Sequence, residues 1–359
     1  MGMPKAYNQM VRAYSECILD RRAALAHIGG GVALGLAAPA LATMPKRRNK
    51  KRMIWFALAT YQSDTGLRSA IKVGEGFYDL VEAASAHSQS GIAGDVSAIL
   101  RDWEACKEGL FSLARAIAAE AKAPSLKAPT LRAPFEPRRI FAAASNFIEH
   151  ADEMKTKLAA KAESQPYIFL KTIESVVGPG DTVVVPPIVA KPDWEVELAV
   201  VLGRNAKNVD PANAHELIAG YTVLNDVSAR DKSRRTDFPF SHDWFRSKSF
   251  DTFTPLGPVF VPRECLGDPH AMRLGLSVNG ETMQDGNTAE MIFNIYEQIA
   301  YLSTILELKT GDLIASGTPA GVGMGRGVFL QDGDVMTAWV EGIGELTNPV
   351  SAPHLPKGQ

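Results

Sequence analysis

The chain has 359 residues, a net charge of −2 and 46% hydrophobic residues. That length exceeds what a single small core needs, and the near-neutral balance gives no bulk attraction to nucleic acid or to an anionic membrane. Cys17, Cys106 and Cys265 are odd in number and far apart, which argues against a disulfide framework or a cysteine metal site.

The first fifty residues stand apart. Arg21-Arg22 precedes an uncharged stretch from Ala23 to Thr43, rich in Ala, Gly and Leu, that ends in Ala40-Leu41-Ala42. Paired arginines, an apolar region and a small-residue cleavage site are the layout of an export leader. The leader resembles a twin-arginine signal, although Ala-Ala-Leu follows the arginine pair in place of a bulky aromatic residue. Gly29, Gly30, Gly31 and Gly35 interrupt the run and argue against a permanent membrane span. Residues 1–42 are thus expected to be an export signal and 43–52 a basic linker. Cleavage near Thr43 would leave a periplasmic protein, and an untranslocated leader a cytoplasmic one.

From Met53 to about Val81, short apolar runs alternate with turns and predict a small meander. Ile99, Leu100, Trp103, Leu110, Leu113, Ala114 and Ile117 then recur at helical spacing. Residues 53–122 read as a small α/β domain, and the proline-punctuated stretch 123–137 as its connector. Beyond it, residues 138–352 are mostly β. Strands are predicted at Arg139–Ala144, Tyr167–Leu170, Thr182–Val185, Val196–Leu202, Tyr221–Asn225, Leu256–Val261, Arg273–Val278, Asp312–Ser316 and Val335–Val340. Helices are predicted at Glu149–Ala162, Pro211–Ile218 and Met291–Leu306, and Asn279-Gly280 between apolar runs marks a two-residue hairpin.

The segment from Asp193 to Gly203 carries most of the chemistry. Side chains alternate along a strand, so Glu195 and Glu197 project to one face while Val196, Leu198 and Val200 cover the other. Two unpaired carboxylates beside a hydrophobic core cost several kcal/mol unless something neutralises them. Asp226 stands within a second, β-rich apolar run, from Ala219 to Ser228, where a strand should be burying side chains, and supplies a third acid. Three carboxylates with no Cys or His make an all-oxygen donor set, which suits Mg²⁺, Mn²⁺ or Ca²⁺ rather than zinc.

Glu195-Val196-Glu197, Asp226-Val227-Ser228-Ala229-Arg230-Asp231, Lys248-Ser249-Phe250-Asp251, Val278-Asn279-Gly280-Glu281 and Gly317-Thr318-Pro319-Ala320-Gly321-Val322-Gly323 occur in this order. In these motifs the chain resembles the fumarylacetoacetate hydrolase family, from roughly Ile140 to Val350. The resemblance implies an α+β, β-rich fold, with a large mixed β-sheet rolled into a barrel-like core behind the small N-terminal domain. It also implies a homodimer and a divalent metal on Glu195, Glu197 and Asp226.

The segment Asn146 to Met154 is similar to the one that carries a His-Glu dyad in acylpyruvase-like members, which implies catalytic roles for His150 and Glu153. On a helix the two would be i, i+3 neighbours, with the carboxylate orienting the imidazole. Lys155 to Gln165 is expected to form a mobile lid. Lys248 resembles the family lysine that touches substrate oxygens, and Asn146, Lys171, Arg230, Ser233, Gly317 and Thr318 are further candidate substrate contacts. The chain departs from the family at Ser233, where a glutamine is common. Arg234, Arg235, His242 and Arg246 follow that departure and could read a distal carboxylate or hydroxyl.

The expected activity is cleavage of a C–C bond in a 2,4-dioxo acid of acylpyruvate type, releasing pyruvate and a carboxylic acid. The same enolate chemistry supports an isomerase, tautomerase or decarboxylase acting on a 2-oxo or 2-hydroxydienoic acid. Outside catalysis, an exported oxo-acid-binding protein and a Ca²⁺-stabilised structural module use the same acids. The Gly-rich loop from Gly317 lacks the lysine and the strand-to-helix setting of a nucleotide loop, which excludes phosphate binding there.

Overall fold

The computed structural model describes residues 54–352 except 90, 93 and 121–123. The expected leader and basic linker lie outside the described residues. Among the described residues no helix is long and apolar enough to cross a membrane.

The expected meander is present as β1 (Phe56–Ser63), β2 (Gly66–Val73) and β3 (Gly76–Asp79), followed by helices α1 (Leu80–Ala86), α2 (Val96–Arg101) and α3 (Trp103–Ala119). The remaining long strands are β4 (Arg139–Ala144), β5 (Tyr167–Lys171), β6 (Val196–Leu202), β7 (Ile218–Asn225), β8 (Thr254–Pro262), β9 (Arg273–Val278), β10 (Glu281–Asn287), β11 (Asp312–Ala315), β12 (Val335–Val340) and β13 (Gly344–Ser351). An 11-stranded sheet runs in the order β3-β2-β1-β8-β7-β6-β11-β4-β5, with two short strands pairing onto β1 and β8. Parallel pairing of β4 with β11 makes this sheet mixed. A five-stranded sheet holds β10, β9, β12 and β13. The architecture is the expected α+β, β-rich one.

Strand β6 shows why the core divides in two. Val196, Leu198, Val200 and Leu202 enter one apolar cluster with Leu274, Leu276 and Val278 of β9 and Met336, Ala338 and Val340 of β12, so the two sheets bury their facing sides. Ala199 and Val201, on the alternate positions, enter the other cluster with Trp103, Leu110 and Leu113 of α3 and with Phe260 of β8. Every residue of β6 is buried, so the strand reads as a continuous apolar run broken only by its glutamate. Glu197 shares the phase of Ala199 and Val201, as the alternation requires.

Several predicted elements need correction. The helix expected over Glu149–Ala162 is α4 (Ile148–Glu153) and stops there, because Lys155 adopts φ +54°, which no helix continues. The stretch after it carries only a 3₁₀ turn at Lys161–Glu163. The helix expected from Met291 begins later, as α6 (Ile295–Ile305), because Asn294 and Glu297 form a capping box that fixes its start. Pro211–Leu217 is 3₁₀ rather than α. Strands β10 and β13 were absent from the sequence reading, since their exposed faces break the apolar pattern. The Asn279-Gly280 hairpin is present: Val278 pairs with Glu281, and both turn residues have positive φ (+53° and +81°), as a type I′ turn requires.

Candidate active site

The three acids come from adjacent strand ends. Glu197 lies on β6 and Glu195 just before it, while Asp226 directly follows β7, the antiparallel neighbour of β6. The Asp226 N–H donates to the Glu195 carbonyl at 2.8 Å and ties the two ends together. Carboxylate oxygens of Glu195, Glu197 and Asp226 lie within 4.8 Å of one another, and all three residues are buried.

Cations surround two of the three. Lys248 Nζ, at the end of α5 (Trp244–Lys248), donates to Glu195 Oε2 at 2.6 Å and to Asp226 Oδ2 at 2.8 Å. Lys171 Nζ donates to Asp226 Oδ1 at 2.5 Å, to the Lys248 carbonyl at 2.6 Å and to the Phe253 carbonyl at 3.1 Å. All three ammonium hydrogens of Lys171 are therefore committed within the protein. Arg230 holds Glu195 with one nitrogen and Asp193 Oδ2 with another, the latter at 2.7 Å.

These contacts set the charge states. Burial would raise the Glu195 carboxyl, but the Lys248 ammonium and the Arg230 guanidinium outweigh it and hold the acid at about 2. Burial likewise opposes the charge on Lys248, yet the Asp226 and Glu195 carboxylates raise its pKa. Glu197 behaves in the opposite way. Burial and the neighbouring Asp226 and Glu195 charges push it well above the usual carboxylate range. Its hydrogen bond comes from the Gly317 N–H at 2.7 Å, and it has no ion pair among the described residues. A buried carboxylate without its own counter-ion, in an all-oxygen cluster of three, fits a divalent cation.

A cavity of about 650 Å³ opens beside the cluster. Glu195, Lys248, Arg230 and Ser233 line it, as do His150 of α4 and Thr318, whose hydroxyl accepts from Gln284 Nε2 at 2.8 Å. His150 is buried, with Nδ1 3.6 Å from Glu153 Oε2, too long for a hydrogen bond but within ion-pair reach. Glu153 is held by the Gly321 N–H, 3.1 Å from each carboxylate oxygen. Burial would raise the Glu153 carboxyl, but His150 and the Gly321 N–H together bring it below its ordinary value.

The candidate residues separate into three groups. His150, Lys248, Glu195, Arg230, Ser233, Thr318, Arg234 and His242 line the cavity. Asn146, Lys171 and Gly317 support it from behind: Asn146 donates to the Phe293 and Ser316 carbonyls and accepts from the Phe293 N–H, spending both ends of its amide. Arg235 and Arg246 do not line it, and Arg235 is tied to Asp237 instead. The expected lid contributes Thr156, Leu158, Ala159, Ser164 and Gln165 to the lining.

Two features escaped the sequence reading. Asp193 accepts from Arg230, from the Gly323 N–H at 2.6 Å and from the Met324 N–H at 2.9 Å, joining the acid cluster to the glycine loop. Its place two residues before Glu195 was the available signal. An aromatic wall forms where Trp244 stacks on Phe169, with centroids 5.2 Å apart, and His242 stacks on Trp244 at 5.8 Å. No local pattern announces that contact.

Residues 139–351 match the C-terminal domain of fumarylacetoacetate hydrolases. A human relative, mitochondrial oxaloacetate tautomerase FAHD2A, is 40% identical over 60% of this chain and 67% of its own length. The solved structure of a fumarylacetoacetate hydrolase from Exiguobacterium antarcticum is 31% identical and superposes with a TM-score of 0.66, over 83% of this chain and 99% of that one. A 5-carboxymethyl-2-hydroxymuconate delta-isomerase from Mycobacterium smegmatis is 30% identical, with a TM-score of 0.61 over 82% and 99%.

Proposed function

The chain belongs to the fumarylacetoacetate hydrolase family, whose members here include a hydrolase, an isomerase and a tautomerase, and on that premise we propose that it moves a proton on an enolisable 2-oxo acid. The observation that carries this reading is His150: a buried imidazole on the cavity wall, backed by an ionised Glu153 and facing the same space as Glu195 and Lys248. The tautomerase relative adds weight to keto–enol interconversion as the net reaction.

Each residue has a distinct task. His150 takes a proton from the carbon beside the 2-oxo group and returns it to the oxygen, with Glu153 stabilising the imidazolium between the two transfers. Lys248 donates toward the oxygen on which charge develops. Arg230 and Thr318 orient the substrate carboxylate against the cavity wall. Glu195, Glu197 and Asp226 would hold Mg²⁺ or Mn²⁺, with Ca²⁺ also compatible, which when bound polarises the 2-oxo group and stabilises the enolate.

A second reading is hydrolysis of a C–C bond in a 2,4-dioxo acid, releasing pyruvate. Cavity size favours it, because about 650 Å³ exceeds the needs of a four-carbon acid and leaves room for an acyl chain and a water. His150 would then activate that water. Following the enol absorbance of oxaloacetate alongside pyruvate release from acylpyruvates, with Mg²⁺ and then with chelator, separates the two. Accelerated loss of the enol without pyruvate supports tautomerisation, and pyruvate with an equimolar carboxylic acid supports hydrolysis. No change in either signal with metal present overturns both.

A further inference from the structure

Strand β10 buries a single residue, and that residue is polar. Gln284 is 1% exposed, while every other residue of the strand is exposed or half-buried. The pairing of β10 with β9 slips between Leu276 and Ser277, so Met283 is an extra residue there. A bulge of this kind re-aims the side chain beside it. The Gln284 amide reaches the acid strand and the glycine loop, and Pro319 of that loop lies so close to β10 that a Cβ on Gly286 would meet Pro319 Cβ at 2.5 Å.

Both ends of the amide are spent on the site. Gln284 Oε1 accepts from the Val196 N–H at 2.9 Å, and Val196 stands between Glu195 and Glu197. Gln284 Nε2 donates to Thr318 Oγ1 at 2.8 Å and to the Pro319 carbonyl at 2.9 Å. Turning the amide over would set its NH₂ against the Val196 N–H and its oxygen against the Pro319 carbonyl, so its direction is fixed. That direction decides the polarity of Thr318. A hydroxyl carries one hydrogen, and an oxygen that accepts from Gln284 keeps that hydrogen for another partner. Thr318 lines the cavity, and among the described residues its hydroxyl makes no other hydrogen bond.

We propose that Gln284 is a positioning residue that fixes the Thr318 hydroxyl as a hydrogen-bond donor to the substrate carboxylate. This rests on the 2-oxo acid reading of the same cavity and adds to it a residue that does not line that cavity and acts through Thr318. A hydroxyl free to turn presents lone pairs to a carboxylate in some of its orientations; the amide removes those orientations before substrate arrives. Through Val196 the same amide ties the donor to the strand that carries Glu195 and Glu197.

The test is a double-mutant cycle read by calorimetry on the full-length protein with Mn²⁺, with pyruvate as the ligand. Thr318→Val should weaken pyruvate binding about tenfold or more, the range of a hydrogen bond to a charged group. Gln284→Met, neutral and of similar length, should weaken binding about threefold to tenfold when residue 318 is Thr or Ser, the range of one neutral hydrogen bond. In the Thr318→Val background it should weaken binding no further. A residue that only supports the fold would lower the melting temperature and weaken binding equally in both backgrounds, and that result overturns the positioning. Wild-type affinity in Gln284→Met overturns it too. Should Gln284→Met not fold, Gln284→Asn, whose amide is one methylene short of Thr318, gives the same comparison. No pyruvate binding by wild type overturns the positioning and the 2-oxo acid reading together, whereas binding with additive losses overturns the positioning alone. Coupled losses without turnover of any 2-oxo acid keep the positioning and refute the catalytic reading.

Discussion

Glu153 reaches toward His150 Nδ1 at 3.6 Å while both of its oxygens accept the Gly321 N–H at 3.1 Å. The glycine loop therefore holds the carboxylate beside the imidazole. His150 Nδ1 is buried with no hydrogen-bond partner, and the Glu153 carboxylate stands 3.6 Å from it. Closure of this short gap when substrate fills the cavity would fix the ring tautomer.

Glu153→Gln keeps an acceptor for the Gly321 N–H and removes the charge that stabilises an imidazolium. Turnover should fall about a hundredfold, the lower range for general acid–base catalysis, with little change in the melting temperature. Steady-state kinetics and a thermal melt on the same preparation check this. Undiminished turnover would place the base elsewhere.

Glu197 gives a pH signature. Its raised folded pKa means that its contribution to stability is complete below the ordinary carboxylate range and is lost as pH climbs toward the raised value. With metal chelated, wild type should lose stability over that interval relative to Glu197→Gln, which stays neutral while still accepting from Gly317. Adding Mn²⁺ should stabilise wild type by about 2.7 kcal/mol at a hundredfold excess over its dissociation constant, and the variant much less. Melting curves across pH, with chelator and with Mn²⁺, decide the matter.

Asp193→Ala strips Arg230 of one partner, leaves the buried Gly323 N–H unpaired and frees the N–H of the exposed Met324. Breaking one side of a buried ion pair costs about 3–5 kcal/mol. Urea denaturation should show a loss of that size, and Asp193→Asn a smaller one because the amide still accepts. Equal stability of all three proteins would remove Asp193 from the framework.

Gly317→Ala combines two penalties. The residue has φ +102°, and a Cβ there would approach Asn146 Cβ at 2.8 Å. Strain of this kind costs about 1–3 kcal/mol and would displace the N–H that Glu197 accepts. Both the melting temperature and the Mn²⁺-induced shift should fall. An unchanged Mn²⁺ shift would separate the loop from the acids.

Alternation along β6 was legible in the sequence because it is local: strand period alone puts Glu195 and Glu197 on one face, and the apolar residues around them require that face to be buried. The Asn279-Gly280 turn was legible for a similar reason, since only a few residue types adopt two successive positive φ values cheaply. Motif resemblance added His150, Glu153 and Lys248. It did not end α4 at Glu153, because the helix propensity of the residues that follow gives no sign of the positive φ that Lys155 adopts. The structure alone decided which loop arginine adjoins the cavity, that Lys171 spends all its hydrogens on neighbours, and that Asp193 links Arg230 to the glycine loop. Those are contacts between segments distant in the chain, fixed by how two sheets pack and where their strand ends converge; sequence names the charges, and only the converging ends decide which of them meet.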